Sequence, residues 1–144
     1  MKPAKGIIEN KTFFYPIRVY YEDTDAGGIV YYANYLKFSE RARTEFLRCL
    51  GINQQQHLQQ SKCGFVVRSC NIDYFSSAVL DDELVVSCKI SELGAAFAVL
   101  HQEIRRGDDL LSSLEVKVIY LNIETHRPTR IPDNFVEKFK NFGA

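Results

Sequence analysis

Apolar and polar residues alternate along residues 14–21, with Ile17, Val19 and Tyr21 set against Arg18, Tyr20 and Glu22. A period of two predicts a half-buried strand. Pro16 lies near its start, where a missing N–H is tolerated. The pattern then breaks at Asp23-Thr24-Asp25-Ala26-Gly27-Gly28, a run of turn-forming residues. Over residues 34–50 the period lengthens: Tyr35, Phe38, Ala42, Phe46 and Cys49 step by three or four and make one apolar stripe of a helix. Arg41 with Glu45, and Glu45 with Arg48, are spaced to pair on its solvent side. Asn34 is a candidate cap at its start and Gly51 a cap at its end. Residues 54–60 predict a second short helix. Beyond Lys62 the period returns to two, in Cys70, Ile72 and Tyr74, in Leu84, Val86, Cys88 and Ile90, through residues 96–104, and in Leu114, Val116, Val118 and Tyr120. Phe135, Phe139 and Phe142 predict a closing amphipathic helix.

Strands that follow one another across short turns pair antiparallel, because a parallel pair needs a long crossover. The order is therefore one strand, one long helix, then four strands, an α+β domain with the helix on one antiparallel sheet. At 144 residues the chain suits one domain, residues 1–144. Phe97, Val99, Ile119 and Leu121 put bulk on the nominal outer face, which suggests contact with a second copy.

Charge removes several function classes. Lys plus Arg is 18 and Asp plus Glu is 18, so the net charge is zero and the basic footprint of a nucleic-acid binder is missing. No apolar run approaches a membrane span, and residues 1–22 lack the apolar core of a signal peptide. Cys49, Cys63, Cys70 and Cys88 form no C-x-x-C pair and are expected as reduced, buried thiols. A reducing compartment, the cytoplasm, is the expectation. The histidines at 57, 101 and 126 lack metal-ligand spacing, so no metal is expected. Arg106-Gly107-Asp108 matches an adhesion tripeptide but is expected only to turn a hairpin.

The chemistry concentrates in residues 22–35, EDTDAGGIVYYANY, with three carboxylates in four residues, two glycines and then the helix. Three readings stand at this point. In the first, the acids simply favour the helix entry through the macrodipole. A calcium loop would need a ligand where Gly27 stands and a Glu where Asn34 stands. In the third, a carboxylate works beside free N–H groups of a helix start, which would stabilise an oxyanion, while Gly27 and Gly28 allow close approach of a ligand.

Residues 18–47, RVYYEDTDAGGIVYYANYLKFSERARTEFL, resemble the signature of the 4-hydroxybenzoyl-CoA thioesterase family, and within it the YbgC-type acyl-CoA thioesterases associated with the Tol-Pal envelope system. Phe65-Val66-Val67-Arg68, Leu80-Asp81-Asp82-Glu83-Leu84, and Arg130 with Pro132 extend the resemblance over nearly the whole chain. It implies the hotdog fold, a long helix wrapped by a five-stranded antiparallel sheet, in homodimers or homotetramers whose subunits share two active sites. It implies an acyl-CoA thioesterase without a cofactor, with Asp25 as the catalytic carboxylate and the Tyr32 backbone N–H polarising the thioester carbonyl. Asp23 would shape the turn. Gly28, Tyr31 and Tyr35, with Phe38 nearby, are candidate substrate-binding residues. Where close relatives often carry His, this chain has Tyr32. Some hotdog thioesterases place a catalytic Glu on the helix, where Glu40 and Glu45 stand. A hydratase would want a His in the Asp25 block, and none is there. The alternative of another class is a scaffold for acyl carrier protein and phospholipid-synthesis enzymes.

Overall fold

The computed structural model describes residues 6–142. In chain order the elements are β1 (Ile7–Glu9), β2 (Thr12–Arg18), α1 (Asn34–Cys49), α2 (Gln54–Ser61), β3 (Cys63–Tyr74), β4 (Glu83–Leu93), β5 (Phe97–Arg106), β6 (Asp109–Asn122), β7 (Arg127–Pro128) and α3 (Asp133–Phe139), with a 3-10 turn at Tyr21–Asp23. All the strands belong to one antiparallel sheet in the order β1-β2-β4-β5-β6-β3, and β7 adds to β6. The five expected strands are β2 to β6. The sheet has seven because the short β1 and β7 extend it, and neither is long enough to show a period in sequence.

Helix α1 lies across β4, β2 and β5. Its buried stripe is Tyr35, Phe38, Ala42 and Phe46, as the spacing predicts. Burial of one such side chain contributes roughly 1.5–3 kcal/mol. Cys49, in the last turn, is exposed instead. Gly51 ends the helix at φ 85°, and the Ile52 N–H reaches back to the Leu47 carbonyl at 2.9 Å. Asn34 is not the cap. It is the first helical residue, is buried, and its Nδ2 donates to the Asp23 carbonyl at 2.8 Å, tying the helix start to the acidic turn. Arg48 pairs with Glu45, while Arg41 lies 6.0 Å from the centre of the Phe38 ring.

Two apolar clusters fill the space between helix and sheet. One gathers Phe13, Phe46, Phe135, Phe139 and Phe142; the other gathers Ile17, Val19, Val30, Phe38, Leu84 and Leu111. A polar link crosses this layer: Arg43 Nη1 donates to Gln102 Oε1 at 3.0 Å, and Gln102 Nε2 donates to the Ser39 carbonyl at 2.9 Å. Gln102 is fully buried, so its amide needs both partners.

The cysteine expectation holds for Cys63 and Cys88 and fails for Cys49 and Cys70, which are exposed on a helix end and on the edge strand. All four are free thiols. Burial pushes the Cys88 thiol up to about 12, which makes it unreactive. Residues 106–109 form the β5–β6 turn, with Gly107 at φ 58° supplying the positive angle that a tight hairpin needs.

Candidate active site

The Asp25-Ala26-Gly27-Gly28 segment closes on itself. The Gly28 N–H donates to the Asp25 carbonyl at 3.0 Å, the Asp25 N–H donates to the Ile29 carbonyl at 2.9 Å, and Thr24 bridges to Val30. Gly28 sits at φ 80°, the left-handed step that ends such a turn. Asp25 is exposed at its tip. Its Oδ1 accepts the Gly27 N–H at 2.8 Å, while Oδ2 accepts no hydrogen bond among the described residues. One carboxylate oxygen is thus fixed by backbone and the other is left for chemistry.

Asp23 faces the other way. It is buried, and its Oδ2 accepts the Tyr20 N–H at 2.8 Å. Its carbonyl accepts the Tyr31 N–H at 3.0 Å as well as the Asn34 side chain. These bonds make it a turn-shaping residue and set where α1 begins. The next two N–H groups, of Tyr32 and Ala33, donate to no acceptor among the described residues. They are the free donors that every helix start leaves.

Asp25 and Tyr32 line one cleft of about 280 Å³, together with Val30, Tyr35, Tyr74 and Ser77. Tyr35 is on its wall, but its hydroxyl is engaged, accepting the Ala78 N–H at 3.0 Å. Gly28 does not line the cleft; it builds the turn. Tyr31 does not line it either, and its ring packs against Tyr32 with centroids 5.0 Å apart.

Tyr74, at the end of β3, is a site residue that the pattern of the chain did not single out. Its hydroxyl donates to the Tyr32 carbonyl at 3.1 Å, and its ring meets Tyr32 and Tyr35 edge-on at 6.1 and 5.4 Å. Burial, with Cys70, Tyr32 and Tyr35 close by, raises the Tyr74 phenol above its ordinary value. It therefore remains a proton donor at neutral pH. Residues 75–77, the rest of that wall, were also unmarked.

A family model described as the thioesterase superfamily matches residues 27–113. The chain belongs to this superfamily. The acyl-CoA thioesterase YbgC of Haemophilus influenzae is 46% identical over 120 residues, covering 83% of this chain and 88% of that protein. The acyl-CoA thioester hydrolase YbgC of Escherichia coli O157:H7 is 41% identical over 133 residues, covering 91% and 98%. The crystal structure of a probable thioesterase from Bartonella henselae superposes with a TM-score of 0.79 at 36% identity, covering 83% of this chain and 98% of that one. The resemblance read from residues 18–47 stands, and with it the hotdog fold.

Within this thioesterase the helix carboxylates point elsewhere. Glu45 is paired with Arg48. Glu40 and Arg43 edge a separate cavity of about 350 Å³ beneath α1, walled by Phe46, Phe65, Leu100 and Phe139. Neither Glu lines the cleft of Asp25. Among the described residues no three His, Cys, Asp or Glu side chains are grouped to hold a metal ion, and no helix is long and apolar enough to cross a membrane.

Proposed function

We propose that the chain hydrolyses acyl-CoA thioesters to the free acid and CoA, with Asp25 as the catalytic carboxylate and the Tyr32 N–H as the oxyanion donor. The observation that carries this reading is that one cleft is lined by both Asp25 and Tyr32, whose carboxylate Oδ2 and backbone N–H have no hydrogen-bond partner among the described residues. The thioester carbonyl sits with its oxygen at the Tyr32 N–H, where the aligned peptides of α1 add a positive field. Asp25 Oδ2 takes a proton from water as that water adds to the carbonyl carbon. The C–S bond then breaks, and the proton passes to the departing CoA thiolate. If Asp25 attacks the carbon itself, the C–S bond breaks and CoA leaves as the acyl-aspartate anhydride forms, and water then adds to the aspartyl carbon to release the acid. A single turnover in ¹⁸O water separates the routes, because only direct attack leaves label on the Asp25 carboxylate.

The test is CoA release from short, long and aryl acyl-CoAs, followed by chromatography because Cys49 and Cys70 are exposed to thiol reagents. Asp25→Asn should lower kcat by about a hundredfold or more, the usual weight of a general base. Unchanged turnover in folded Asp25→Asn protein overturns the assignment. The same acyl groups on an acyl carrier protein present the same bond, so running both donors ranks them. Retention of carrier-protein binding with no turnover on any donor favours the scaffold reading. We place the protein in the cytoplasm on its free thiols, and as a homodimer or homotetramer on its exposed edge strand.

A further inference from the structure

We infer that Arg106, in the Arg-Gly-Asp turn far along the chain, is a positioning residue for the Asp25 cleft, acting through the loop at residues 75–82. The inference rests on the reading of that cleft as the catalytic site.

The Arg106 Nη1 donates to the Ser77 carbonyl at 3.2 Å and to Asp82 Oδ2 at 2.8 Å. The same Asp82 oxygen accepts the Val79 N–H at 2.9 Å. Each of these contacts falls on a peptide plane whose other end holds the cleft. The Ser77–Ala78 peptide offers its carbonyl to Arg106 and its N–H to the Tyr35 hydroxyl, at 3.0 Å. The Ala78–Val79 peptide offers its N–H to Asp82 and its carbonyl to the Val30 N–H, at 2.9 Å. A trans peptide is rigid and planar, so fixing one end orients the other. Two successive planes therefore couple the Arg106–Asp82 pair to Tyr35 and Val30, both of which line the cleft. Val79 also bridges to Ile29, directly after the Asp25 turn.

The ends of the loop are anchored independently. The Phe75 and Ser76 N–H groups both reach the Leu111 carbonyl, and Val19 pairs with Asp81 and Asp82. Removing Arg106 therefore frees the middle of the loop without detaching it. Burial would raise the Asp82 carboxyl, but the Val79 N–H and the Arg106 guanidinium outweigh it and hold it below its ordinary value, so the pair is ionised at neutral pH. One guanidinium nitrogen, Nη1, serves the carbonyl and the carboxylate together, while Nη2 lies 3.8 Å from Asp109 Oδ2, so the planar group is held from both sides.

The test compares Arg106→Gln, Arg106→Lys and Asp82→Asn in the full chain, by steady-state kinetics and by amide exchange. Arg106→Gln should lower kcat about tenfold to a hundredfold, the scale expected when a reacting group is displaced by about an ångström, while KM moves less than about threefold. Arg106→Lys should recover part of the kcat. The Ala78 and Val79 amides should exchange faster in Arg106→Gln, with the Val86 and Val116 amides unchanged. Combining Arg106→Gln with Asp82→Asn should add little to either single change. If Arg106→Gln does not fold, Asp82→Asn breaks the same pair from the other side. Wild-type kcat in the folded variants, or unaltered exchange at Ala78 and Val79, overturns the inference. Faster exchange in a protein whose turnover ignores Asp25→Asn would instead show that the clamp exists and that the catalytic assignment has failed.

Discussion

At Gly28 the backbone stands at φ 80°, where an added Cβ crowds the next carbonyl, yet the space around it is open. At Gly27 the angle is ordinary, but a Cβ would lie 3.2 Å from Asp25 Oδ1. The two substitutions should therefore separate. Gly28→Ala should cost about 1–2 kcal/mol of stability. Gly27→Ala should leave the unfolding midpoint near wild type and lower kcat, because it presses on the carboxylate that its own N–H holds. Thermal unfolding beside CoA-release kinetics checks both, and equal losses of stability would refute the distinction. Asp25 and the glycines stand out in sequence because they are neighbours in one unusual segment, and the resemblance adds Tyr32 beside them. Tyr74 and Arg106 were not, because their roles come from hydrogen bonds to residues 42 and 29 positions away, and a strand pattern looks the same whichever residue it reaches.

Among the elements, α1 and strands β4 to β6 were legible because each presents one face to the core and so keeps a clean period. Strand β3 was read only in its second half. Its residues are mostly exposed and a bulge interrupts the register between Val67 and Ser69, so residues 63–69 show no alternation. Helix α2 buries none of its residues fully and is held to the sheet by His57, whose Nε2 lies 2.6 Å from the Tyr120 hydroxyl and whose ring packs 4.8 Å from Phe135. Burial lowers the His57 pKa below its ordinary value. The unfolded chain then binds a proton at a higher pH than the folded one, so stability is full above the ordinary histidine range and falls as pH drops through it. Urea unfolding from about pH 7.5 to about pH 5.5 should show this loss, and His57→Gln should flatten it. A pH profile of His57→Gln parallel to wild type would show that the loss arises elsewhere. Asp82, also lowered, acts in a separate and more acidic window.

For the whole molecule, the two sheet edges are unequal. One ends in β1, three residues long. The other is β3, twelve residues long, with one side unpaired among the described strands and with Val66 and Val67 exposed at 39% and 54%. A long edge carrying exposed valines is a template for another strand, and monomeric proteins usually blunt such an edge with charge or brevity. Pairing of β3 with β3 of a second copy would be isologous, close on itself as a two-fold dimer and extend one sheet through both subunits. It would also set the ends of β3, where Tyr74 meets Tyr32, beside the partner and so near the cleft. Sedimentation at micromolar concentration should therefore give twice the chain mass or a multiple of it. Val67→Lys places a charge on the edge and should shift the protein toward monomer with its far-ultraviolet dichroism unchanged. Turnover should fall in proportion to the monomer formed, since the cleft would lose its neighbouring wall. A wild-type protein that sediments as a monomer, or a Val67→Lys monomer with full kcat, would mean that the β3 edge is open in solution and that one chain carries a complete site.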